Sequence, residues 1–175
     1  MAFVKTSDSY QEMWEYMSQP QRDLILTGEY LLQSIGEMQK ENSHFTDFSF
    51  LIFPFAKAYE GFLKQLCKDT GLISRLDYIS DHLRLGKLLS PIIADKLGEH
   101  SLYRKIERIT SPELAELIWR VWKQGRNQVF HYFPHNIKAP TYDESQYVIT
   151  SILSTMERAY REIVTRRVDR IVSVV

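Results

Sequence analysis

Phe55, Ala58, Tyr59, Phe62, Leu63, Leu66 and Cys67 recur at steps of three and four, the interval that lines one face of an α-helix. The opposite face of this segment carries Lys57, Glu60, Lys64 and Lys68, and the helix is expected to end near Gly71. Similar stripes recur along the chain, while alternating strand patterns do not. Only 7 Gly and 6 Pro interrupt 175 residues. The chain therefore reads as all-α, a single domain over residues 1–175 built from about four main helices with short helices between them.

A second long helix is expected from Pro20 to about Lys40, with Leu24, Leu31, Leu32, Ile35 and Met38 on its apolar stripe and a short helix over about Ser9 to Ser18 before it. Between Leu72 and Ile109 periodicity is weakest, and Gly86, Pro91 and Gly98 leave room only for short helices and loops. Ser111, Pro112 and Glu113 form a helix start, followed by Leu114, Leu117, Ile118, Val121 and Trp122. Gly125 is expected to end or interrupt that helix. The last helix is expected to start at Thr141, whose spacing to Glu144 makes a capping box, and to run to about residue 170.

The charge balance, 22 Lys and Arg against 22 Asp and Glu, argues against broad electrostatic adhesion to nucleic acid. No apolar run approaches the roughly 18 to 20 residues of a membrane span, and the N-terminal MAFVKTSDSY lacks the apolar stretch of a signal peptide. The single cysteine, Cys67, rules out an internal disulfide or a thiolate zinc cluster and is expected in the core. These features point to a soluble cytoplasmic protein that needs no membrane. His131 and His135 are four apart, but Pro134 between them and the lack of nearby carboxylates argue against zinc, so neither a metal nor a cofactor is expected. Trp119 and Trp122 are read as core or dimer interface, and Arg158, Arg161, Arg166, Arg167 and Arg170 first as a solvated final turn favoured by the helix dipole, with contact to RNA phosphates as the sharper alternative.

The connection expected between the last two helices, GRNQVFHYFPHNIKAP, concentrates the chemistry. Arg126 offers a planar fork of donors for a phosphate, and His131 a group that exchanges protons near neutral pH. Read as structure alone, Arg126 would cap the preceding helix and His131 would pack half-buried beside Phe130 and Phe133. A loose Arg-to-His spacing also matches Arg75 and His82, but Leu76 stands where a polar residue is usual, so this is read as a chance match. With only three Asn in the chain, composition alone yields Arg-Asn followed by His at this spacing about once in a hundred such chains.

Arg126, Asn127 and His131, placed near the end of an all-α chain, resemble the Arg-polar-x-x-x-His motif of the HEPN superfamily. The polar face of FAKAYEGFLKQL with Glu60 and Lys64, followed about 65 residues later by this motif, is similar to the HEPN domain of RNase LS-type toxins over roughly residues 50–170. The resemblance implies a metal-independent endoribonuclease, toxin-like or defence-like. Arg126, Asn127, His131 and Glu60 would act in catalysis, and Lys64 and Tyr132 would contact RNA or support the site. Tyr132 follows the histidine by one place, where some members of the superfamily have tyrosine two places on. The resemblance also implies attack by a ribose 2′-hydroxyl, a homodimer that pairs two motifs, and an antitoxin protein as a partner. The other class it allows is a non-catalytic module binding nucleotide, RNA or protein.

Overall fold

The structure, a computed structural model, describes residues 7–39 and 45–172, with the side chains of 39 and 165–172 outside the description. Among the described residues the chain is all-α, with nine α-helices and no strand. Four of them are substantial: α2 (Gln19–Gln39), α3 (Ser49–Asp69), α8 (Pro112–Trp122) and α9 (Tyr142–Val172). The short helices are α1 (Asp8–Tyr16), α4 (Arg75–Ile79), α5 (Leu85–Leu88), α6 (Ala94–Leu97) and α7 (Leu102–Ile109). Four of these five fall in the weakly periodic region, where glycine and proline cut the chain into pieces.

Helix α3 is the axis of the bundle, packed chiefly between α2 and α9. Its buried side is wider than a single stripe, because Leu51, Ile52, Pro54 and Ala56 are covered along with the residues from Phe55 to Cys67. The helix also begins earlier than its stripe. Pro54 lies inside it and has no N–H to donate to the Phe50 carbonyl, so the second turn lacks one of its bonds. At its far end Gly71 adopts φ 65°, Leu72 N–H bonds the Cys67 carbonyl at 2.7 Å and Gly71 N–H bonds that of Lys68 at 3.0 Å. This is a Schellman stop, and it requires the left-handed backbone that glycine adopts without steric cost.

The starts of α8 and α9 follow their sequence signals. Ser111 Oγ accepts from Leu114 N–H with Pro112 at the first helical position. Thr141 and Glu144 exchange both bonds of a capping box at 3.2 and 2.8 Å. One hydrophobic core runs from Tyr10 in α1 to Ile163 in α9. Cys67 is buried in it, and that burial pushes its thiol up to about 12. No helix among the described residues is long and apolar enough to cross a membrane.

Gly125 interrupts the α-helical winding of α8 without stopping the helix. Beyond Trp122 the chain keeps winding, as a π-helical turn over Lys123–Gln128, and leaves the helix only at Val129. The reason is packing against α9. Gly125 is buried, and a Cβ there would lie 2.9 Å from Ile152 Cδ1 and 3.5 Å from Val148 Cγ1. The missing side chain lets the turn press against α9 instead of breaking away. Wider π turns of this kind recur at functional sites.

Candidate active site at the end of helix α8

Two contacts bring the end of α8 to the polar face of α3. The buried Tyr59 hydroxyl donates to the Ile118 carbonyl at 3.1 Å, and the Tyr59 and Trp122 rings lie 6.3 Å apart. Burial also pushes the Tyr59 phenol well above its ordinary range, so it stays a neutral donor. With Tyr59 anchored on α8, the next residue, Glu60, faces the first residues after Trp122.

Glu60 there meets Arg126, with Arg126 Nε 3.5 Å from Glu60 Oε2. Lys64, one turn along α3, approaches Glu60 Oε1 at 3.3 Å. One carboxylate thus faces two cations, and at these distances neither contact is a short hydrogen bond. The Arg126 guanidinium also lies 5.8 Å from the centres of both the Trp122 and Phe130 rings, residues four before and four after it. Flanked by two aromatic faces and turned toward Glu60, it is oriented without being sealed, and 40% of its side chain remains exposed. Among the described residues it makes no capping bond to a helix carbonyl, unlike the purely structural reading.

Beside this group opens a cavity of about 660 Å³, lined by Glu60, Arg126 and Asn127 together with Trp119, Trp122, Ser90 and the segment Leu83–Lys87 around α5. The four candidates Glu60, Lys64, Arg126 and Asn127 are therefore gathered at one place, with Lys64 joined through Glu60 rather than through the cavity wall. Trp122 is buried in the core and also lines the cavity, whereas Trp119 is half-buried along the wall.

His131 and Tyr132 follow on the turn after the π segment. Both are exposed, Tyr132 at 80%, and neither lines the cavity. His131 is not packed half-buried beside Phe130 and Phe133. Instead Phe130 leans on Phe53 of α3 with ring centres 5.2 Å apart. Further along, Asn136 donates to Asp47 Oδ2 at 2.8 Å and Phe48 N–H bonds the Pro140 carbonyl at 3.0 Å, tying the connection to the start of α3. His135 and Asn136 both have positive φ, 59° and 51°, so the turn carrying His131 is bent sharply and pinned. His131 and His135 join no group of three or more His, Cys, Asp or Glu suited to a metal, and no such group occurs among the described residues.

Arg84 and Lys87 carried no sequence signal beyond two cations beside Gly86, and they enter the site only because α5 folds against α8. The chance-match residues Arg75 and His82 are exposed and do not line the cavity. Of the basic final turn, Arg158 pairs with Glu162 at 2.7 Å and Arg161 is exposed, while the side chains of Arg166, Arg167 and Arg170 lie outside the described residues. No family model, curated protein or solved structure matches this chain.

Proposed function

We propose that this chain is a metal-independent endoribonuclease of the HEPN type, cytoplasmic and toxin-like or defence-like, that works as a homodimer and is held in check by an antitoxin protein. The observation that carries this reading is the meeting of Glu60 with Arg126 beside an open cavity, with Asn127 next to them. These residues come from segments 66 positions apart, and they are the ones the motif resemblance singles out. An arbitrary Arg and Glu on two helices have no reason to converge on a cavity.

In this reading His131 takes the proton of a ribose 2′-hydroxyl, and O2′ attacks the adjacent phosphorus. Arg126 stabilises the charge on the phosphorane oxygens, for which its fork of donors is suited. The P–O5′ bond breaks, and a second acid protonates the leaving oxygen. The products are a 2′,3′-cyclic phosphate and a 5′-hydroxyl, with no net gain or loss of protons. Each chain has one motif histidine, so the second acid is assigned to His131 of another copy. The exposed rings of Phe53, Phe130 and Tyr132 around the motif support such a pairing face.

The exposure of His131 away from the cavity favours a second reading, a non-catalytic module that binds nucleotide, RNA or protein. The two separate when RNA is incubated in EDTA with wild type, Arg126→Ala and His131→Ala. The ribonuclease reading expects cyclic-phosphate ends from wild type and a loss of about a hundredfold or more in each variant. It fails if wild type cuts no better than both.

A further inference from the structure

The cavity beside Arg126 reaches away from His131, toward a wall that the proposed chemistry does not use. That wall is α5 and its flanks, and it brings Arg84 and Lys87 to the same space as Arg126, Asn127 and Trp119. Three cations line a cavity whose only carboxylate among the described residues, Glu60, already faces Lys64 and Arg126. In a chain with a formal net charge of +0, this local excess is the more notable. Arg84 uses one donor on the Asp81 carbonyl at 2.7 Å and Lys87 is exposed, and neither forms an ion pair among the described residues.

The cavity also offers a flat apolar surface, and a donor without an acceptor lies behind its wall. Trp119 lines it half-buried, packed against the edge of the core. Trp122, 97% buried, has an indole N–H with no acceptor. A Cβ at Gly86 would lie 2.5 Å from that Nε1, so the bare glycine backbone is what covers it. A buried donor without a partner is costly, and this one lies directly behind the Gly86 wall of the cavity. A volume of about 660 Å³ falls within the span of about 300–1,000 Å³ usual for small-molecule sites.

We propose that this cavity is a nucleotide subsite, which takes one nucleoside-phosphate unit of a single strand with its base against Trp119 and its phosphate between Arg84 and Lys87. Cations along a groove with an aromatic face among them are how proteins hold single strands with little sequence preference. The inference deepens the ribonuclease reading and rests on it for the source of the nucleotide, a residue of the RNA next to the cleaved linkage. The same chemistry fits a free mononucleotide, so the test has an arm for each.

The test titrates the full chain with a single-stranded hexanucleotide carrying 2′-O-methyl groups, which cannot be cut by 2′-hydroxyl attack, and separately with AMP. Binding is read by tryptophan fluorescence and by calorimetry. The subsite expects the hexanucleotide to bind and quench, and the Arg84→Ala/Lys87→Ala variant to bind at least tenfold more weakly. Loss of the phosphate contact also flattens the salt dependence, lowering its slope by about 0.7 for a single strand. Trp119→Leu is expected to remove most of the quenching and weaken binding. AMP binding as tightly as the hexanucleotide, with the same loss in the double variant, assigns the site to free nucleotide.

The subsite is overturned if neither ligand binds at millimolar concentration, or if the double variant, folded by circular dichroism, binds both as wild type does. Failure of the ribonuclease reading looks different. Without any cleavage of natural RNA, Arg84- and Lys87-dependent binding of the uncuttable strand still holds the subsite in a non-catalytic module. Conversely, cleavage by the double variant with unchanged KM and kcat removes the subsite and leaves the ribonuclease.

Discussion

Arg126 Nε lies 3.5 Å from Glu60 Oε2, joining the π turn after α8 to the polar face of α3 across 66 residues of sequence. Both side chains are partly exposed, 40% for Arg126 and 28% for Glu60, so the pair contributes little to folding, about 0.2–1 kcal/mol as for other exposed pairs. Its consequence is orientation. The carboxylate turns the guanidinium toward α3 while the Trp122 and Phe130 rings flank it.

Glu60→Gln therefore separates the two roles. The expected result is a melting temperature within about 4 °C of wild type and RNA cleavage reduced more than tenfold, since roughly 1 kcal/mol moves the midpoint by only a few degrees in a domain of this size. A purely solvated Glu60 predicts no change in either. Melting curves and initial rates on the same preparations decide between them.

Gly125→Ala tests the π turn. The added methyl meets Ile152 Cδ1 at 2.9 Å, at the tip of a fully buried side chain that must shift within the core. Helix propensity favours alanine by up to about 1 kcal/mol, but overpacking of this kind typically costs about 1–3 kcal/mol. Net destabilisation is expected in urea unfolding. Cleavage should fall further than the folded fraction does, because the next residue is Arg126.

Gly28→Ala provides the contrast. Its Cβ would sit 2.3 Å from a ring carbon of Phe55, a fully buried residue at the contact of α2 with α3. Stability should drop by about 1–3 kcal/mol, while activity per folded molecule stays at the wild-type level. Activity and unfolding measured on one sample check both halves of this expectation.

Asp47 sets a pH dependence. Burial alone would raise its carboxyl, but the Ser49 side chain, Asn136 and the Ser49 backbone N–H bond it and hold it below its ordinary value. A carboxylate with a depressed folded-state pKa stabilises above its unfolded value of about 3.9 and loses that contribution as pH falls through the folded value. Thermal melts between pH 6 and about pH 3 should show wild type losing more stability than Asp47→Asn. The connection carrying His131 should loosen with it, because Asn136 loses its ionised acceptor.

If two copies supply the two histidines, specific activity must rise with protein concentration until dimers saturate. Sedimentation and rate measurements over the same dilution series test this. A constant specific activity in a chain that sediments as a monomer removes the cross-dimer acid.

The long helices were legible because burial leaves its trace at fixed intervals: the stripe from Phe55 to Cys67, the cap at Ser111 and the box of Thr141 with Glu144 each record a local rule of backbone geometry. Gly125 marks where that legibility stops. As a local signal glycine reads as a helix stop or interruption, and only the nearness of Ile152 reveals it as a packing contact within a turn that carries the winding on to Gln128. Had the helix been read through, Trp122, Arg126 and Phe130 would have stood out at steps of four as a ring, a cation and a ring.

By itself, then, the chain determined an all-α fold, its main helices and the group Glu60, Arg126, Asn127 and His131 as the place to look. Which of these meet was decided by tertiary structure: Tyr59 seats α8 against α3 and so brings Glu60 to Arg126, while the turn pinned by Asp47 and Asn136 holds His131 out in solvent. The contribution of Arg84 and Lys87 was decided there too. Helix stripes and caps are written in neighbouring residues, whereas a cavity belongs to segments that approach only after the core has closed.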